Sequence, residues 1–172
     1  MKLKKRNDRL QVPMTIEWNG KNRRKDFLAH IIETNNFKTM VEVGTRYGGT
    51  IFYLLDRFPQ LTVYAIDSDI SQFYNSTVAK KYGDRLIAIE GLSQHVVRQI
   101  PDHSVDLIFI DANHNYPYVK NDIKDYRKKL NDKGIMTGHD IDYPGVNKAV
   151  NELIESYDVG PNFVWVANKF KD

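Results

Sequence analysis

The chain has 172 residues, 41% hydrophobic and 27% charged, the balance of a globular protein long enough to bury one proper core. It contains no cysteine, which excludes disulfides and thiolate metal sites, and no apolar run approaches the ~18 residues of a membrane span. The net charge of +3 is uneven: residues 1–25 carry nine Lys or Arg against Asp8 and Glu17, while the remainder is mildly acidic. With no apolar signal-peptide core at the N-terminus, a cytoplasmic location is expected.

Residues 1–25 read as an irregular basic extension, a solvated tail or a contact between copies in a homodimer, with polyanion binding as the weaker reading. Residues 26–172 read as one domain. "DFLAHIIETNN" opens on Asp26 and pairs Phe27/Leu28 with Ile31/Ile32 one helical turn apart. "TMVEV" (39–43) is a short strand. "IFYLLDRF" places Ile51, Leu54, Leu55 and Phe58 on one helical face, and Pro59 stops it. "TVYAI" (62–66) is a second strand, and residues 70–81 carry a helical stripe through Ile70, Phe73, Tyr74 and Val78.

"LIAI" (86–89) is a third strand, followed by a short helix near 94–99. "VDLIFI" (105–110) is the most apolar strand. A helix over 117–130 shows Val119, Ile123, Tyr126 and Leu130, and "GIMTG" (134–138) is a fifth strand. From Pro144-Gly145 a helical stripe runs through Val146, Ala149, Val150, Leu153, Ile154 and Tyr157. "FVWVANKF" (163–170) is a last strand at or near an edge. Strands that alternate with helices and are apolar without alternation predict an α/β fold: a Rossmann-like, doubly wound, mostly parallel sheet of six to seven strands with helices on both faces. Such sheets bind ligands beyond the carboxyl ends of their strands.

Several polar residues fall at those ends. "VEVGTRYGGT" (41–50) joins the first strand to its crossover helix, with Gly44 for the turn and Gly48-Gly49 for close backbone approach to a ligand. The spacing G-x-x-x-G is not the dinucleotide fingerprint, and Glu42 suits a cationic ligand better than a pyrophosphate. "AIDSD" ends the second strand; Asp69 reads as a helix cap, leaving Asp67 for ribose hydroxyls. Asp111 ends the fourth strand, as a cap of the next helix or as a wall of a site.

Together these residues resemble the class I S-adenosylmethionine-dependent methyltransferases over about Asp26 to Tyr157. The resemblance implies that Glu42, Gly44, Thr45, Arg46, Gly48 and Thr50 form the methionine-binding loop, and that Asp67 with Ser68 holds the ribose. "GLSQHVVRQI" (91–100) is similar to the segment that catechol-type O-methyltransferases lay against adenine, which implies Ser93 and Gln94 near that ring; His95 stands where an acid is usual. "DANHNY" and "GHD" resemble the D-G-x-H-x-Y and G-H-D patterns of a small O-methyltransferase-like subgroup, with Ala112 for the usual glycine.

By that likeness Asp111 lies beside the cofactor, and Asp111, His139 and Asp140 hold a divalent cation. Adjacent parallel strands lie ~4.8 Å apart, so residues beyond strands four and five can meet over one ion. Carboxylates suit Mg²⁺, while an imidazole shifts preference toward Mn²⁺, Fe²⁺ or Zn²⁺. His114 takes the place of the catalytic base and His139 is the second candidate. Tyr116, Tyr118 and Tyr143 are candidates to wall the pocket of a small-molecule acceptor. "NYPY" (115–118) starts four residues too late for the motif of nucleobase-amine methyltransferases, so a nucleic-acid substrate rests on the basic arm alone. A module that binds the cofactor without chemistry is a further alternative.

Overall fold

Seven strands, β1 (Thr39–Val43), β2 (Thr62–Asp67), β3 (Leu86–Glu90), β4 (Val105–Ile110), β5 (Leu130–Gly138), β6 (Ile154–Val159) and β7 (Trp165–Phe170), form one sheet. Their order is β3-β2-β1-β4-β5-β7-β6. The first five are parallel and β7 runs antiparallel between β5 and β6. This is a computed structural model, and it describes residues 9–171. Lys2, Lys4, Lys5 and Arg6 of the basic arm lie outside them.

The helices are α1 (Arg24–Asn35), α2 (Gly49–Arg57), α3 (Ser76–Tyr82), α4 (Ser93–Val96), α5 (Tyr116–Arg127) and α6 (Pro144–Leu153). Phe27, Leu28, Ile51 and Leu54 of α1 and α2 pack with Met40, Val63 and Phe109 on one face of the sheet. Val119, Ile123 and Tyr126 of α5 and Val146 and Val150 of α6 pack with Val41, Ile66 and Ile108 on the other. Burial on both faces explains why these strands are apolar without alternation. Among the described residues, no helix is long and apolar enough to cross a membrane.

Three expectations are corrected. The stripe over 70–81 is split: a 3₁₀ turn takes Ile70–Gln72, and α3 starts afresh where the Asn75 side chain accepts from the amides of Thr77 and Val78. The last long helix ends at Leu153, and Ile154–Val159 is β6. Ile154 and Tyr157 have helical spacing, but they pair with Phe170 and Ala167 of β7 instead. The edge strand on that side is β6, with β7 next to it and so near the edge, as expected. The strand predicted over 134–138 also begins earlier, at Leu130, through a register shift opposite β4.

Residues 9–23 lie along the body. The Leu10 amide donates to the Asp142 carbonyl at 2.8 Å and the Thr15 amide to that of Val159 at 2.8 Å. Trp18 packs edge-on against Phe27. The segment thus runs across the carboxyl edge of the sheet.

Candidate active site

The turns after β1, β2 and β4 meet at that edge around a cavity of about 320 Å³. Gly44, Arg46, Asp67, Ser68, Ser93 and Asp111 are among its walls, as are Leu92, Gln94 and Tyr118. Gly44 has φ 91°, and a Cβ there would lie 2.4 Å from the Asp111 carbonyl oxygen. Only glycine lets the first and fourth turns close on each other this tightly.

Asp67 ends β2 with its carboxylate on this cavity, where the Arg46 amide donates to Oδ2 at 2.7 Å and the Asp69 amide to Oδ1 at 3.2 Å. Asp69 is the expected cap, accepting from the Ser71 amide at 3.0 Å. Ser93 and Gln94 come to the cavity tied by their side chains to Asp122 of α5: Ser93 Oγ donates at 2.6 Å and Gln94 Nε2 at 2.9 Å. Burial pushes the Asp122 carboxyl up to about 6, against those two hydrogen bonds. Asp122 was not read from the sequence; an acid facing inward on α5 was its only signal.

Glu42 is buried in β1, directly before the cavity-lining Val43 and Gly44, and its Oε2 has no hydrogen-bond partner. Burial, then the charge of Asp111, pushes its carboxyl up to about 8. Thr45 is buried beside it, its hydroxyl also without a partner. Thr50, at the start of α2, lines a neighbouring shallow depression with Arg23, Arg24, Lys25 and Gly49. Gly48, at φ 73°, precedes α2 as its N-cap.

Beyond β4 and β5 a polar centre adjoins the cavity. His114 Nε2 lies 3.0 Å from Asp140 Oδ2 and 3.6 Å from Asp111 Oδ1. His139 Nδ1 lies 3.2 Å and 3.6 Å from the same two oxygens. These are charge contacts rather than aligned hydrogen bonds: His114 Nε2 and both ring nitrogens of His139 lack a hydrogen-bond partner. Among the described residues, Asp111, His139 and Asp140 offer ligand atoms within 4.8 Å of one another, the expected cation set. Asp140 takes φ 56°, a left-handed conformation that aspartate adopts at some cost.

The outer oxygens of both acids are held by arginines that sequence reasoning did not assign. Arg24 Nη1 donates to Asp111 Oδ2 at 2.6 Å, and Arg9 Nη1 to Asp140 Oδ1 at 2.8 Å and Asp142 Oδ1 at 2.5 Å. Asp111 is thus no helix cap; the residue preceding α5 is Asn115. Tyr143 stacks on His114 with centroids 4.7 Å apart, and the Arg9 guanidinium lies 3.5 Å from its ring centre. Of the other two tyrosines, Tyr118 lines the cofactor-sized cavity, whereas Tyr116 turns away to Glu152.

Burial opposes a charge on His114, but Asp111 and Asp140 outweigh it and raise its imidazole to about 9. Burial likewise opposes ionisation of Asp140, yet His114, His139 and Arg9 hold it well below the usual carboxylate range. Without an added cation, the centre therefore keeps its proton on His114 at neutral pH.

A sheet of this order, with this cavity over its parallel strands, is the architecture of the S-adenosylmethionine-dependent methyltransferases. Over residues 41–141, more than half its length, the chain matches the family described as a methyltransferase domain, and it belongs to that family. No curated protein matches the sequence. A Staphylococcus aureus protein assigned as a caffeoyl-CoA O-methyltransferase shares the fold with TM-score 0.71 and 18% identity, covering 86% of this chain and 82% of the other. The S-adenosylhomocysteine-bound methyltransferase of Podospora anserina gives 0.69 and 19%, covering 87% and 78%. The O-methyltransferase of Bacillus cereus, in complex with S-adenosylhomocysteine, gives 0.66 and 15%, covering 84% and 80%.

Proposed function

We propose that the protein transfers a methyl group from S-adenosylmethionine to a hydroxyl of a small molecule, with a divalent cation at Asp111, His139 and Asp140. One observation carries the reading. Two imidazole nitrogens without hydrogen-bond partners face two carboxylates at the rim of the cavity, where an acceptor hydroxyl must lose its proton.

The residues fit the cofactor. Asp67 offers its carboxylate to the ribose diol, and Ser93 and Gln94 offer the edge for adenine. The unpartnered Glu42 oxygen suits the ammonium of the methionine moiety. Arg46, Thr50 and the basic depression beside α2 suit its carboxylate. When bound, the cofactor supplies an electrophilic methyl: the sulfur–carbon bond breaks as an oxygen–carbon bond forms, leaving S-adenosylhomocysteine and a proton.

The centre also fits a cation, having buried nitrogen donors that lack partners beside two carboxylates. A bound divalent ion would supply Lewis acidity toward the hydroxyl and take up the carboxylate charge that otherwise keeps His114 protonated. His114 Nε2, facing both acids, is the group placed to receive the hydroxyl proton. Tyr143 holds the imidazole flat against its ring.

A small acceptor is favoured over nucleic acid because Arg9, Arg23 and Arg24 of the arm already pair with Asp140, Asp26 and Asp111. The test is calorimetry with S-adenosylhomocysteine, then methyl transfer to catechol with Mn²⁺ and with chelator. Absence of cofactor binding sinks the reading. Turnover indifferent to the chelator removes its metal half.

A further inference from the structure

Arg9 belongs to the arm, yet its guanidinium reaches the polar centre and the ring beside it. Nη1 donates to Asp140 Oδ1 at 2.8 Å and to Asp142 Oδ1 at 2.5 Å, and the guanidinium carbon lies 3.5 Å from the centre of the Tyr143 ring. His114 stacks on the same ring, with centroids 4.7 Å apart and planes 17° from parallel. Two flat groups this close cannot share one face of a phenol, so Tyr143 lies between them. We infer that Arg9 is a positioning residue of the proposed transfer: it clamps Tyr143 onto His114 and fixes Asp140, so that the imidazole keeps Nε2 toward the accepting hydroxyl. The inference rests on the methyltransferase reading above and gives the arm a part in the reaction.

Three observations carry it. First, the backbone of this layer is already set. A Cβ at Gly145 would lie 2.2 Å from the His114 carbonyl oxygen, so the start of α6 abuts the turn after β4 directly. The Tyr143 amide donates to the Asp140 carbonyl at 2.8 Å, and the Asn147 amide to that of Tyr143 at 2.8 Å. What remains to be held is the side chains, and Tyr143 is only half-buried. Arg9 covers the ring face that His114 leaves open.

Second, one carboxylate ties the outer layers of the stack together. Asp140 gives Oδ1 to Arg9 and turns Oδ2 to His114 at 3.0 Å and His139 at 3.2 Å. Without a partner on its outer oxygen, the carboxylate is free to turn about its last bond and withdraw Oδ2 from the imidazole. Third, the arm is anchored at this point. The Leu10 amide donates to the Asp142 carbonyl at 2.8 Å, and the buried Asp142 carboxylate faces Arg9. A buried acid needs such a cation in place. Arginine joins a plane that stacks on a ring to N–H groups in that plane for two acids, whereas lysine brings the charge alone.

The test observes His114 directly, by NMR of the full-length protein at one fixed pH. Its ring protons are expected upfield, shifted by the Tyr143 ring, and Tyr143→Leu gives their position without that ring. Arg9→Ala is expected to move them most of the way to the Tyr143→Leu position. Low-millimolar guanidinium is expected to bring them back by filling the place between the two acids and the ring. S-adenosylhomocysteine affinity is retained, while turnover of catechol falls about tenfold with the KM for S-adenosylmethionine unchanged. Arg9→Lys keeps an ion pair with the acids and hence the fold, and is expected to leave the upfield shift lost. Ring protons that stay in place in Arg9→Ala, or an Arg9→Lys variant that matches the parent, overturn the inference and leave the methyltransferase reading intact. Turnover that survives a displaced His114 signal does the same. Failure of the unaltered protein to bind S-adenosylhomocysteine overturns the methyltransferase reading itself, and with it the part given to Arg9.

Discussion

Arg24 at the start of α1 donates to Asp111 at the end of β4 across 2.6 Å, joining the arm to the centre of the site. Asp111 is only 12% exposed at its side chain while Arg24 is 38% exposed, so the acid depends on this partner more than the base does. Arg24→Ala is expected to destabilise the protein by about 1–2 kcal/mol, the range for a charge-assisted hydrogen bond partly screened by water. Urea midpoints measure it. A midpoint and slope equal to those of the unaltered protein would show that the pair adds nothing to the fold.

For the cofactor, Asp67→Ala is expected to weaken S-adenosylhomocysteine at least tenfold, about 1.4 kcal/mol, in calorimetry. The carboxylate there also accepts the Arg46 amide, so the variant's thermal midpoint is checked alongside. An unchanged dissociation constant with an intact fold removes Asp67 from the ribose.

Asp122 stands behind the cavity wall, accepting from Ser93 and Gln94. Because it holds both Ser93 and Gln94, Asp122→Ala is expected to loosen the adenine edge and raise the KM for S-adenosylmethionine several-fold more than it lowers kcat. Asp122→Asn keeps an accepting oxygen and restores most of the loss. Equal behaviour of the two variants would assign Asp122 to packing alone.

Glu42 gives a pH signature. Folded, it keeps its proton to about pH 8; unfolded, it releases it near its ordinary 4.5. The folded state therefore binds the extra proton between those values, and stability falls as pH rises through that window. Glu42→Gln is expected to flatten this fall, making the ligand-free variant more stable than the parent at about pH 9 and no different at about pH 4. Parallel denaturation curves across that range would refute the assignment.

At the centre, Mn²⁺ is expected to bind more tightly than Mg²⁺ because His139 brings a nitrogen donor. Electron paramagnetic resonance of added Mn²⁺ should show a bound fraction that Asp111→Asn and Asp140→Asn each abolish. A spectrum of free ion in the parent protein would end the cation assignment.

Much of this was legible from the chain. The strands to β5 follow from apolar runs buried on both faces; the grouping of Asp111, His139 and Asp140 came from the resemblance of their motifs, and their places just past strand ends agree with it. What escaped needed contacts between distant residues. Ile154 and Tyr157 keep helical spacing, and only β7, folding back beside them, makes their segment a strand. Asn75 looked like one more residue of a helix until its side chain capped a new one. Arg9 and Arg24 read as arm charge because nothing local says that they reach acids more than 80 residues away.

The placement of β7 bears on how the molecule assembles. It is the latest strand in the described chain, yet it occupies an interior position, with Trp165 fully enclosed against Gly138. Until Trp165–Phe170 is synthesised, β5 offers a bare hydrogen-bonding edge and β6 has no neighbour to join. During translation the nascent protein thus carries a sticky border beside its would-be catalytic rim, and loss of those few residues would expose it permanently to self-association.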